Sequence, residues 1–134
     1  MPYWINLVLD NDKGEPTYLQ RAKPGVVMEF RRWPDVPTPG VGGILPMKLI
    51  FKDDFVDKYR KSGSSVTKGT VLGDKPNRTV VFESKAGTSS GKPVQKIRIM
   101  LKSGSHLPEG YAFDALMEDD NGVWKTWDPR VVSK

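Results

Sequence analysis

The chain has 134 residues, 37% of them hydrophobic and 28% charged, with a net charge of +5 and no cysteine. That length suits one domain around one core, and the lack of cysteine excludes disulfides, thiolate nucleophiles and cysteine-held zinc. No run of about 18 apolar residues occurs, and Met1-Pro2-Tyr3-Trp4-Ile5-Asn6 lacks the basic start and apolar stretch of a secretory signal; no membrane partner and a cytoplasmic location are expected.

Eleven prolines and thirteen glycines punctuate the chain and leave little room for long helices. The apolar stretches between them are short and rich in Val, Ile, Phe, Trp and Tyr, which pack well on a pleated surface. Tyr3–Leu9 reads as a first strand, paired with Thr17–Gln20 across the turn at 11–15. Val26–Trp33 is the next. The run from Pro34 to Pro46 holds four prolines; each removes an amide donor, so it reads as a long connection that crosses between sheets. Met47–Lys52 is a strand. Phe51, Phe55 and Tyr59 are spaced four apart after Asp53 and Asp54, which predicts one short helix near 53–61. Val66–Leu72, Arg78–Ser84, Val94–Lys102, Tyr111–Glu118 and Val123–Trp127 complete the strands. About eight to ten short antiparallel strands with Gly/Pro turns predict an all-β fold, a β-sandwich forming a single domain over 1–134.

Two acidic turns stand out. Asp10-Asn11-Asp12-Lys13-Gly14 and Glu118-Asp119-Asp120-Asn121-Gly122 follow similar aromatic–apolar strands. Asp10, Asp12, Asp119 and Asp120 could together or in pairs offer oxygens to a hard cation such as calcium. Neither stretch has both the glycine and the glutamate of an EF-hand loop, and the better reading is one hairpin turn used twice. Gly87-Thr88-Ser89-Ser90-Gly91-Lys92-Pro93 has the glycines and lysine of a phosphate loop but three residues between the glycines and proline after the lysine. It reads as a flexible hairpin loop. His106 is the single histidine and lies in a loop, so no catalytic constellation is legible and a non-enzymatic protein without cofactor is expected.

Charge is more informative. Residues 58–102 hold eleven basic and two acidic side chains, whereas 1–57 hold seven and eight, and 103–134 hold three and six. On Val94–Lys102, alternation puts Lys96, Arg98 and Lys102 on one face and Ile97, Ile99 and Leu101 on the other. With Lys85 and Lys92 before that strand, and Lys68 and Arg78 on neighbouring ones, the stripe suits phosphates or another polyanion. The segment carries only Tyr59 and Phe82 as aromatics, so binding without sequence preference is expected. Trp4, Trp33, Trp124 and Trp127, with Tyr3 and Tyr111, are expected to pack in the core; an exposed Trp pair for sugar stacking is the alternative.

The stretch Tyr111–Gly122, followed by Trp124 and Trp127-Asp128-Pro129, resembles the last hairpin of the bacterial inclusion-body/AidA-type family over about 20 residues. The resemblance implies a cytoplasmic bacterial β-sandwich without known catalysis. Three functions stay open. The first is a non-catalytic interaction or self-assembly module, partnered by protein and first of all by its own copies. The second is sequence-independent binding of nucleic acid or another polyanion through 58–102. The third is a carbohydrate or weak calcium-binding module.

Overall fold

The computed structural model describes residues 3–7, 18–20, 27–32, 44–89, 91–102, 108, 111–119, 121–127 and 130–132. Its strands are β1 (Tyr3–Leu7), β2 (Tyr18–Gln20), β3 (Val27–Arg32), β4 (Met47–Lys52), β5 (Thr70–Leu72) and β6 (Thr79–Glu83), followed by β7 (Lys85–Ser89), β8 (Lys92–Met100), β9 (Asp114–Glu118), β10 (Trp124–Trp127) and β11 (Arg130–Val132). The fold is all-β. Sheet I has the order β1-β3-β8-β7, sheet II the order β10-β9-β4-β6-β5, and β11 pairs with β2. No helix among the described residues is long and apolar enough to cross a membrane.

Alternation builds the core. Met47, Leu49 and Phe51 of β4 are buried while Lys48, Ile50 and Lys52 are not. The register sets Leu49 beside Phe82 on one side and Ala115 on the other, so one inward layer runs across sheet II. Phe30, Ile97 and Ile99 of sheet I join these residues in one cluster. The two sheets therefore pack face to face, as a sandwich. All five phenylalanines are in this cluster. Phe51 is its hub, stacked on Phe55 at 4.0 Å and Phe113 at 4.7 Å between ring centres, with Phe82 edge-on at 5.8 Å.

The crossing between sheets falls where expected, between β3 and β4. Its last residues lie over buried polar side chains. Fully buried Arg32 donates through Nη1 to the Leu45 and Pro46 carbonyls at 3.3 and 2.9 Å. Gln95 donates to the Ile44 carbonyl at 3.2 Å and accepts from Ser84 Oγ at 2.7 Å. Ser84 Oγ in turn accepts the Met47 amide at 2.9 Å. Buried polar groups need partners, and Arg32 Nη1 and Gln95 Nε2 find theirs in the carbonyls of the crossing. Ser84 also joins β6 of sheet II directly to β7 of sheet I.

Several expectations need correction. β1 does not form a hairpin with β2: it pairs in parallel with β3, and β2 pairs in parallel with β11. A parallel pair needs a long crossover, which the stretch between Leu7 and Val27 supplies. Of the predicted strand Val66–Leu72 only Thr70–Leu72, β5, forms a strand, paired with β6. The loop at Gly87–Pro93 is mostly strand: β7 and β8 pair from Lys85–Lys96 to Ser89–Lys92, with Gly91 at φ +76° in the turn. Pro93 is tolerated because it lies beyond Gln95, the last β8 residue paired to β3, where no amide is demanded on that side. The short helix is present as a π-helical turn, Phe55–Tyr59, closed by the Arg60 amide on the Phe55 carbonyl at 3.1 Å. Asp54 makes no cap hydrogen bond there; it accepts the Tyr111 hydroxyl at 2.8 Å. Among the tryptophans, Trp124 is 37% exposed rather than core, with Lys48 Nζ 4.9 Å from its ring centre. The side chains of Trp4, Trp33 and Trp127 lie outside the described residues.

Candidate functional site

The predicted alternation of β8 holds. Ile97, Ile99 and Leu101 are buried, while Lys96 and Arg98 are partly exposed and Lys102 is exposed. Across the outer face of sheet I, Lys96 lies between Lys85 of β7 and Arg31 of β3. Three cations thus share one row, and like charges directly opposite each other destabilise a sheet. Arg31 is compensated by a buried ion pair with Glu29. Lys85 and Lys96 take part in no ion pair among the described residues. Lys92 opens β8 opposite Ser89.

Beyond Lys85 the β7 strand stops, and another segment takes over the same edge of β8. The Lys61 amide donates to the Met100 carbonyl at 2.9 Å and the Thr67 amide to the Arg98 carbonyl at 2.8 Å. Thr67 Oγ1 returns the contact by accepting the Arg98 amide at 2.9 Å. Residues 60–69 arch over this edge and enclose a cleft of about 320 Å³. Arg60, Lys61, Lys68 and Arg98 line it, and no carboxylate among the described residues does. Its apolar lining comes from Val66 and Met100, which are partly exposed, and from the edges of the buried Phe82 and Ile99. Arg98 Nε is 3.4 Å from Glu29 Oε1, and Arg60 Nε donates to the Val56 carbonyl at 3.4 Å. Lys61 and Lys68 are exposed and take part in no ion pair among the described residues.

The other predicted cations are engaged. Arg78 donates to Asp53 at 2.7 Å and Asp57 at 2.8 Å. Asp53 first, then Asp57, raise its pKa; the hydrogen bonds from Arg78 and then Lys75 hold Asp57 below the usual carboxylate range. Lys102 Nζ donates to the Asp57 carbonyl. Lys68, Lys85, Lys96 and Arg98 are therefore brought to one end of sheet I, while Arg78 belongs to a separate ion-pair cluster. Arg60 and Lys61 were within the basic segment, but no strand alternation marked them, because they act from an irregular arch.

At the second acidic turn, Asp119 is buried. Its Oδ1 accepts the Asn121 and Val123 amides, both at 2.9 Å, and Lys125 Nζ is 3.7 Å from Oδ2. The Val123 amide contributes most to holding its pKa low. With Gly122 at φ +77°, this is the carboxylate of a hairpin turn. Among the described residues no cluster of three metal-binding side chains occurs. Asp10, Asp12, Asp120 and His106 lie outside the described residues. No protein-family model, no curated protein and no solved structure matches the chain.

Proposed function

We propose that the protein is a non-catalytic binding module for a polyanion, held on the outer face of sheet I. The observation that carries this reading is the opposed pair Lys85–Lys96, which no carboxylate among the described residues offsets. The fold bears that repulsion, and an external anion relieves it. Arg98 lies two residues further along the same face of β8, about 7 Å away at the strand repeat, which continues the stripe toward the cleft. Binding nearly indifferent to base sequence follows, since the face offers lysines rather than an array suited to base edges.

The test is a titration with labelled DNA and RNA over a range of salt concentrations. Replacing Lys85 and Lys96 with Ala should flatten the logarithmic salt slope by about 1.4 to 1.8, because each phosphate neutralised contributes about 0.7 on single strands and 0.9 on duplex. The fold should survive, as both side chains point away from the core. Absence of binding at about 100 μM protein in low salt would remove the reading.

A second reading, self-assembly through sheet II, is favoured by a different observation. β5 is an edge strand whose three residues are all exposed and uncharged, with Leu72 at 52% exposure. Uncharged open edges are where another chain adds.

A further inference from the structure

Resting on the polyanion reading, we propose that the cleft under residues 60–69 holds one nucleotide unit, its phosphate on the cations and its base against the apolar lining. The cation set points to an anion: Arg60, Lys61, Lys68 and Arg98 line the space and no carboxylate among the described residues does, although Arg98 Nε also lies 3.4 Å from Glu29 Oε1. Size and lining then narrow the ligand. About 320 Å³ equals the room of roughly ten waters, well beyond what an isolated anion fills, and sits at the lower end of ligand pockets. A purely electrostatic site has no use for Val66 and Met100 in its lining. A flat, weakly hydrated ring attached to a phosphate uses both the cationic and the apolar lining, and packing of a base tolerates any base identity.

The irregular path of the arch supports the same assignment. Thr67 is tied to β8 through both its amide and its hydroxyl, so the neighbouring Lys68 is carried on a pinned backbone rather than a free loop. Lys61 is fixed in the same way by its amide on Met100. Two exposed lysines are thus presented from opposite ends of one arch. Preorganised donors of this kind lose less freedom on binding.

The nucleotide unit has two sources, a free mononucleotide or one residue of a strand. The experiment uses the full chain, with amide chemical shifts followed during addition of adenosine monophosphate, of inorganic phosphate, and of a single-stranded oligonucleotide. Shifts at residues 60–69 and 98–100 are expected with the mononucleotide, at lower concentration than with phosphate. The double variant K61A/K68A should weaken mononucleotide binding by about tenfold or more. It should leave the melting temperature unchanged, since both side chains are exposed. Tighter, salt-sensitive binding of the oligonucleotide, reduced by K85A/K96A, identifies a strand as the source; equal affinities for the two identify the free nucleotide. If phosphate binds as well as the mononucleotide, or K61A/K68A changes nothing, the cleft assignment is overturned, whereas the face of Lys85 and Lys96 is judged separately by its own salt slope.

Discussion

Gly69 is where the arch comes closest to the core. A Cβ there would lie 2.6 Å from Val80 Cγ2 and 2.9 Å from Phe82 Cε1, and both side chains are buried. Gly to Ala at a permissive site gains about 0.4–1 kcal/mol through the unfolded chain, but overpacking costs about 1–3 kcal/mol. The second effect wins, so Gly69→Ala should lower stability in a denaturant melt; a stabilised variant would contradict the close approach. Tyr111 gives a pH test. Burial first, then the Asp54 carboxylate, raise its pKa well above 10.0. Above about pH 10 the unfolded chain releases this proton while the folded chain keeps it, so stability present at lower pH is lost as pH rises. Thermal melts between about pH 9 and 11 should fall less steeply for Tyr111→Phe than for the unaltered chain, and parallel curves would argue against the buried hydroxyl. Residues were legible in the sequence where one strand's alternation decided them, as for Lys96 and Ile97. Arg78 was not, because its partners Asp53 and Asp57 come from the far end of β4 and the helical turn after it.

At the scale of elements, β4 was read with its observed bounds because its alternation is regular and its ends are marked by Pro46 and the Asp53–Asp54 pair. β7 was missed because Gly87, Thr88 and Ser89 have loop composition; register to β8, a tertiary effect, makes them a strand. The N-terminal hairpin failed for the converse reason, since a turn-like composition after β1 cannot say which partner the strand prefers. The edge strand β5 carries the self-assembly reading. Replacing Val71 and Leu72 with Lys should leave the fold intact, since both are exposed, and should abolish any oligomer that sedimentation detects at tens of micromolar. Oligomers that persist in this variant would place the contact elsewhere, because inserted charge blocks edge pairing.

For the whole molecule, the segregation of charge seen along the chain becomes a place in space, as the basic segment supplies β7, β8 and the arch at one end of sheet I. What composition could not reveal was the cleft, since its two halves come from residues about thirty apart that meet only after the sheets close. The order of strands has one more consequence. Sheet I takes β1 and β3, then waits for β7 and β8; sheet II takes β4, β5 and β6, then waits for β9 and β10. Ser84 passes the chain from one to the other in a single step. Neither half can be finished while the other is still missing, and β9, made after every strand of sheet I, pairs with β4, the first of sheet II to appear. Such interleaving makes most native contacts distant along the chain, and distant contacts close slowly. A chain leaving the ribosome therefore shows one open edge of β4 to its surroundings until Asp114–Met117 of β9 arrive to pair with it.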